Sequence, residues 1–214
     1  MLQSKHQILE LSYGFTCSCS SCRFIKHIGI LPELPTNSAE LSTLGRQLRD
    51  FVGVDFQCGS NLPTRPIEST PPVLYPVLRE EYLTSLSSTF SESSHQGQYN
   101  LAIDTGITLL SLYVLIYPSN YPQIGEYISS YVFILSRFDF IKRQGMHLLE
   151  LAKTAWNARI CFADSDSDEN PVSKAQVLAF LSLARNRLAI YGPEGDESGP
   201  LDEVKILERL LSAD

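Results

Sequence analysis

Apolar residues recur at helical spacing through the last two-thirds of the chain, and this periodicity constrains the fold more than any other feature. Side chains at positions i, i+3 and i+4 share one face of an α-helix and can be buried together. Residues 74–86, 146–160 and 172–191 follow this spacing. We therefore predict a mainly α fold, in which residues 71–212 form an antiparallel helical array similar in architecture to tetratricopeptide-like folds.

Two of the predicted helices have expected faces and ends. Asn170 is the expected N-cap of the 172–191 helix, and Pro171 stands at its first position, where a missing N–H leaves no hydrogen bond unmade. Pro200 is expected to begin a short final helix. The expected buried faces consist of Leu148, Leu149, Ala152, Ala155, Trp156 and Ile160 in one helix, and of Val172, Ala175, Leu178, Leu181, Ala184, Leu188 and Tyr191 in the next.

The segment 101–117 is apolar on nearly every side, which is typical either of a buried core helix or of a membrane span. It contains Asp104, and it is shorter than the roughly 20 residues that a span needs. Both features favour a core helix, and we expect no membrane partner.

Composition narrows the class of protein. Of 214 residues, 43% are hydrophobic and 19% are charged, which is enough for a buried core. The net charge of −7 argues against direct nucleic-acid binding, because phosphate contacts rely on clustered positive charge. The N-terminal residues are polar and lead into no apolar signal-peptide core. We therefore expect an intracellular protein, in the nucleus or the cytoplasm, with reduced cysteines.

Three of the five cysteines fall within six residues, in the pattern Cys17-x-Cys19-x2-Cys22. Thiolates at this spacing are within reach of one ion, and a structural zinc takes four ligands in a tetrahedron. A fourth ligand would come from elsewhere in the chain, with Cys58 and His27 as the options. The pattern predicts a structural zinc site, and three reduced cysteines without a metal are the alternative.

The residues around these cysteines resemble a segment of a known enzyme family. The stretch 9–22, in which Tyr13-Gly-Phe15 precedes the cysteines, resembles the post-SET segment of the SET and MYND-domain protein-lysine methyltransferases, fungal members especially. The family's C-terminal region is a tetratricopeptide-like helical array. Residues 112–156 are similar to that region, notably at Tyr117-Pro-Ser-Asn-Tyr-Pro122.

The resemblance implies a role for each residue of the motif. Cys17, Cys19 and Cys22 would bind a structural zinc. Tyr13 would line the channel that admits the target lysine, and Phe15 would pack against the adenine end of S-adenosylmethionine. Aromatic faces suit both roles, because they attract cationic groups such as methylated ammonium. Core packing beside the cysteines is the alternative role for both aromatic residues.

The family's SET core, which carries the cofactor-binding and principal catalytic stretches and one zinc thiolate, is not found in this sequence. We therefore expect the C-terminal fragment of a protein-lysine methyltransferase, inactive alone, with S-adenosylmethionine bound only by a full-length parent. Its expected partner is a histone or non-histone protein. The alternatives are a stand-alone helical interaction module stapled by the zinc knuckle, and a gene fragment without function. The expected divisions are a knuckle over 1–25, a linker over 26–70 that carries a weak helix at 38–51, and the array over 71–212.

Residues 126–145 interrupt the resemblance. In fungal relatives the segment that ends here at Gly125 runs straight into the one that starts at Met146. The intervening residues are aromatic and β-branched, and Gly-Glu-Tyr at their start is what a common intron start would encode. We interpret them as a retained intron in the gene model, with a real extra helix of the array as the alternative.

Three other features have simple interpretations. His147 is expected to be an ordinary helix residue at the edge of an apolar face, and Cys161 a small buried residue at a helix end. The acidic run 164–169 is expected to be a solvated loop, with docking of a basic partner such as a histone tail as the alternative.

Overall fold

The computed structural model describes residues 11, 14, 16, 20–53, 65–116, 131–162, 173–189 and 199–213, with the backbone alone for 131–143, 161, 162 and 213. Helices account for most of these residues and no strand occurs among them, so the predicted mainly α class is confirmed. The α-helices are α1 (Ser20–Ile28), α2 (Ser38–Val52), α3 (Glu80–His95), α4 (Tyr99–Ile116), α5 (Tyr131–Phe162), α6 (Lys174–Leu188) and α7 (Pro200–Ala213).

Helix α4 lies at the centre of this structure, with α2, α3 and α5 packed around it. Most of α4 is buried, as predicted for a core helix. By its length and its mean hydropathy of 1.5, α4 is also the one helix among the described residues that is apolar enough to cross a membrane. Two-thirds of it (67%) is buried against the rest of the chain. The absence of a membrane partner stays a prediction.

The neighbours of α4 run antiparallel to it. The Gln144 side-chain amide donates a hydrogen bond to the Tyr113 carbonyl at 3.3 Å, and His147 contacts the Gly106 carbonyl. Later residues of α5 thus meet earlier residues of α4, and the two helices are antiparallel. Helix α3 turns into α4 within three residues and packs Phe90 beside Gly106. This alternation agrees with an antiparallel arrangement of helices, whereas the tetratricopeptide-like arrangement stays a prediction.

Helix α2 forms because its local sequence supplies both caps and an apolar face. The Asn37 side chain accepts a hydrogen bond from the Ala39 N–H at 2.9 Å, and Gly53 ends the helix in the left-handed conformation (φ 68°) that favours glycine. The predicted helix at 38–51 is therefore confirmed. Its buried residues, Leu44 and Leu48 among them, join the same core as α4 and α5. The stretch that we expected to be a linker thus contributes to the main core.

The chain before α3 differs from the predicted continuous helix. Residues Pro72–Leu78 form a 3-10 helix, Arg79 is extended (ψ 146°), and α3 begins only at Glu80. Pro76 lies inside the 3-10 segment and has no N–H to donate to a preceding turn. The predicted apolar residues Leu74, Val77 and Leu78 are buried, but Pro76 prevents them from forming one continuous α-helix with residues 80–86. A shorter 3-10 helix, Ile67–Ser69, precedes this segment.

Helix α6 begins later than predicted. Ser173 is its N-cap, and the Ser173 and Gln176 side chains each bond the other's backbone N–H, at 3.2 and 2.8 Å. The prediction of Asn170 as N-cap was therefore wrong, because the reciprocal capping box satisfies two N–H groups at once. The predicted start of the final helix at Pro200 is confirmed.

The predicted buried faces are right in part. Leu181, Ala184 and Leu188 are buried as expected, but Leu178 is 41% exposed, because α6 buries Val177 and Phe180 instead. The sequence contains two overlapping apolar stripes, and Leu178 of one and Val177 of the other differ by one position, or about 100° around the helix. Packing on α5 buries the stripe that contains Val177. In α5, Leu148, Leu149, Ala152 and Ala155 are buried as predicted, whereas Ile160 is 57% exposed and that prediction was wrong.

The segment 126–145 falls largely within α5. From residue 131 onward its backbone is helical and continues without a break into 146–162. Gly145 packs closely on α6, since an added Cβ would lie 2.9 Å from Leu188 Cγ. In this structure residues 131–145 are thus the N-terminal extension of a helix that the array already has, rather than a separate additional one, and residues 126–130 lie outside the described part of the chain.

Candidate functional site

The cysteine cluster leads into helix α1, which the sequence did not predict. Helix α1 begins at Ser20 and runs across the expected boundary between 25 and 26. It places Cys22 in its first turn, where the side chain is buried among the core residues. Cys17, Cys19, Tyr13 and Phe15 lie outside the described residues, so their implied roles stay predictions. The signal that indicates this helix is the helical spacing of Cys22 and Ile25, with the charged residues Arg23 and Lys26 on the opposite face.

Helix α1 is fixed against the end of α4. The buried Ser21 hydroxyl donates a hydrogen bond to the Ile116 carbonyl at 2.9 Å. Ile116 ends α4, and the last carbonyls of a helix have no intrahelical partner, so Ser21 satisfies one of them. Beside it, the rings of Phe24 and Tyr75 meet edge to face, 5.9 Å apart. Cys22 therefore sits at the C-terminal end of the central helix.

The geometry of α1 bears on the choice of a fourth zinc ligand. Cys22 and His27 are five positions apart, which corresponds to about 140° around the helix axis and about 7.5 Å along it. Cys22 is buried and His27 is exposed, so the two side chains leave the helix on different faces. One tetrahedral ion cannot bind both, and His27 does not fit the site. Cys58 lies outside the described residues and stays the other option.

Among the described residues, no three His, Cys, Asp or Glu side chains converge on one point. Cys17 and Cys19, two of the three predicted thiol ligands, lie outside the described residues. Whether a zinc ion fits is therefore judged from the chemical type and spacing of the three cysteines. Three sulfur donors within six residues suit a soft or borderline ion such as zinc. The burial of Cys22 agrees with a closed structural site and equally with an unliganded core cysteine.

His147 is the most perturbed group in the α4–α5 contact. It is 9% exposed, and its Nε2 lies 2.9 Å from the Gly106 carbonyl oxygen, which can only accept, so Nε2 carries the proton. The rings of Phe90 and Tyr113 meet the imidazole edge to face at 5.0 and 5.6 Å. Burial lowers the pKa of His147 to about 4, against a smaller opposing effect of the hydrogen bond to Gly106.

His147 is a helix residue, as predicted, but it is buried in the α4–α5 contact rather than at the edge of the apolar face. The imidazole is neutral, enclosed and bonded to a backbone carbonyl. Its position beside the buried pair Leu148 and Leu149, and one turn before Leu151, is the signal that indicates burial. Because the bonded partner is a carbonyl rather than a nucleophile or a carboxylate, we assign His147 a structural role in joining α4 to α5.

A second polar cluster joins α2 to α4. Arg49 forms a salt bridge with Asp104, and the buried Tyr82 lies near both. Burial is the main cause that raises the pKa of Tyr82 to about 12, and Asp104 adds to it while Arg49 opposes it. The phenol therefore stays protonated at neutral pH and cannot act as a general base.

Salt bridges attach the last helix to the two before it. Lys153 of α5 pairs with Glu203, and Arg185 of α6 pairs with Glu208, so α7 crosses both helices. Burial opposes the charge on Lys153, but hydrogen bonds to Glu203 and Glu150 outweigh it and raise the pKa of Lys153. The acidic run 164–169 and the Cys161 side chain lie outside the described part of the chain.

Comparisons of the chain with protein-family models, with curated proteins and with solved structures find no match in any of the three. The cysteine motif at residues 13–22 and the contacts of the described residues are therefore the basis for assigning a function.

Proposed function

We propose that this chain is the C-terminal, protein-binding part of a SET-type protein-lysine methyltransferase, in which the cysteine cluster holds a structural zinc. The observation that carries the proposal is the motif Tyr13-Gly-Phe-Thr-Cys-Ser-Cys-Ser-Ser-Cys22, followed directly by a helical structure. The attachment of α1 to the end of α4 supports it, because a zinc bound by the cluster would then be rigidly joined to the helices.

Within the proposal, the chain's own residues divide into two groups. The cluster and the aromatic residues before it would contribute one wall of a lysine channel and of a cofactor pocket, in the roles that the resemblance implies for Tyr13 and Phe15. The zinc would supply folding free energy to a short segment that has little core of its own. Helices α2 to α7 would position a protein partner, and the chain alone would not transfer methyl groups.

Zinc content of the purified, reduced protein tests the cluster. We expect about one zinc per chain for the wild type and values near zero for Cys17→Ala and Cys19→Ala. Cys161→Ala is the matched control, because it also removes one thiol but lies in α5, and we expect it to keep its zinc. A wild-type stoichiometry near zero would remove the zinc site.

The fourth ligand has its own test. If Cys58 supplies it, Cys58→Ala lowers zinc affinity strongly under competition with a chelator, whereas His27→Ala leaves it unchanged, because His27 faces away from Cys22. The opposite pattern would mean that α1 is unwound in the zinc-bound protein. Equal affinity in both variants would place the fourth ligand elsewhere.

A stand-alone interaction module is the second candidate function. It is favoured by the single contiguous core, to which residues from α1 through α7 all contribute. Sequencing of the complete transcript separates the two candidates. An in-frame SET core before codon 1 supports the enzyme. The long protein should then methylate lysines in bulk histone or cell-extract protein, and lose this activity in Tyr13→Ala. Stop codons in that region support the module.

The same transcript decides the status of residues 126–145. Reads that join codon 125 directly to codon 146 would show a retained intron in the gene model. Continuous coverage at full depth would show that the long α5 is the native helix.

A further inference from the structure

Helix α1 has a second face that no described residue covers. Its inner face, which includes Cys22 and Ile25, is buried against the core. Three outer side chains of the helix follow the spacing i, i+3, i+4 and are exposed, and a fourth exposed side chain lies just beyond the end of the helix. This outer surface, which we name the α1 stripe, consists of Arg23, Lys26, His27 and Ile30.

The cations of the α1 stripe lack partners within the described part of the chain. Helix α1 contains no carboxylate, and none of the described acidic residues forms a salt bridge with the stripe. Of the eleven other lysine and arginine side chains that the structure describes, five form salt bridges, namely Arg49, Arg79, Lys153, Arg185 and Lys205. The stripe is thus a local positive surface on a chain whose net charge is −7.

Ile30 is held in an exposed position from both sides. Gly29 ends α1 in the left-handed conformation (φ 76°), and its N–H bonds the Ile25 carbonyl at 3.0 Å. On the other side, Leu31 is buried and its carbonyl accepts a hydrogen bond from Arg79 at 3.3 Å. Between these anchors Ile30 is 95% exposed. Ile30 is the most exposed large apolar side chain among the described residues.

We propose that the α1 stripe docks an acidic segment of a partner protein, with carboxylates on Arg23 and Lys26 and an apolar side chain on Ile30. The helical part of the stripe, from Arg23 to His27, spans about 6 Å along the helix axis. Charge complementarity selects this face, because an acidic segment is repelled by most of this acidic chain and attracted here. An apolar anchor with only two permanent cations suits a protein segment better than a phosphate backbone. The inference requires neither zinc nor methyl transfer.

Binding of a model acidic peptide tests the proposal. The probe is a fluorescein-labelled peptide of alternating glutamate and serine with one central leucine, measured by fluorescence anisotropy against the full chain at about 0.15 M salt. We expect saturable binding that weakens about tenfold in Arg23→Glu/Lys26→Glu. Arg46→Glu/Arg209→Glu is the matched control. It changes the net charge equally on exposed cations outside the stripe, and its affinity should stay within about twofold.

The apolar contact has a separate measurement. We expect Ile30→Ser to weaken binding about fivefold, Ile30→Leu to preserve it, and a peptide without leucine to bind wild type and Ile30→Ser alike. Far-ultraviolet circular dichroism confirms that the variants keep their helices. The proposal is overturned if wild type does not bind the probe, if the control pair loses as much affinity as the stripe pair, or if single-stranded RNA of equal charge binds more tightly.

Discussion

Two contacts of the central helix α4 differ in how they are made. In its middle, α4 meets α3 and α5 at Gly106, where Phe90, His147 and Leu151 leave no room for a side chain. At its end, α4 meets α1 through one buried hydrogen bond from Ser21, with a few apolar residues beside it.

We expect the stability of the fold to depend more on the first contact than on the second. The first contact depends on shape and on a neutral, buried imidazole, so small changes of volume or charge should cost much. The second depends on few interactions, so α1 should respond weakly to single changes and strongly to any ligand of the cysteine cluster. We therefore expect the largest losses of stability from changes at His147 and Gly106, and smaller ones at Ser21 and in α7.

The largest effect is expected from acid. In the unfolded chain His147 binds a proton below its ordinary pKa of 6.5, whereas in the folded chain it does so only near 4. Between these values the unfolded state holds more protons, so the free energy of unfolding falls as pH falls. We expect a loss of about 3 kcal/mol from pH 7 to below 4, measured by urea denaturation.

His147→Gln is the matched control for this loss. Glutamine can donate to the Gly106 carbonyl but does not titrate. The variant should therefore lose less stability than wild type over the same pH range. An identical pH dependence in both proteins would show that His147 is not buried in its neutral form.

The second effect compares two helical glycines. A Cβ at Gly106 would lie 2.8 Å from Leu151 Cδ1 and 2.9 Å from Phe90 Cε2, whereas a Cβ at Gly45 would be 3.2 Å from its nearest atoms. Alanine improves helix propensity equally at both sites, by about 1 kcal/mol. We expect Gly106→Ala to be about 2 kcal/mol less stable than Gly45→Ala, because overpacking exceeds that gain only at Gly106. Chemical denaturation measures both, and equal stabilities would contradict the tight crossing.

The third effect concerns the end of α4. Ser21→Ala should lower the free energy of unfolding by about 1 kcal/mol, because the Ile116 carbonyl loses its buried donor. Ser42→Ala, at an exposed position of α2, should change it by no more than a few tenths. If the two variants prove equally stable, α1 does not cap α4 in solution.

The smallest effect is expected at α7. Lys153→Met removes the partly exposed salt bridges to Glu203 and Glu150 and should cost about 0.5 kcal/mol at low salt and less at 1 M salt. Lys205→Met, which breaks a bridge within α7, serves as the comparison and should cost no more than that. A loss that is independent of salt would indicate packing by the lysine stem instead.

Much of the fold could be predicted from local sequence. Helix α2 was predicted because Leu41, Leu44, Leu48 and Phe51 recur at helical spacing within one short segment. Helix α1 was not predicted, because we expected a compact, turn-rich metal site around the cysteines and because the helix has only nine residues.

The candidate site was predictable only as a pattern. The spacing of the cysteines predicts shared ligation, but the exclusion of His27 required the helical geometry of α1. His147 could not be assigned from the sequence, because its burial depends on Gly106 and Phe90, which are distant along the chain.

Local sequence is enough to predict the helical class, the position of α2 and the start of α7 at Pro200, because caps, prolines and apolar periods act over a few residues. Contacts between segments that are distant in the sequence determine which apolar residues α6 buries, that His147 is enclosed, and that Ile30 is exposed beside cations that form no salt bridge with a described residue. These outcomes depend on which surfaces meet across the fold, and a local pattern does not specify its partner.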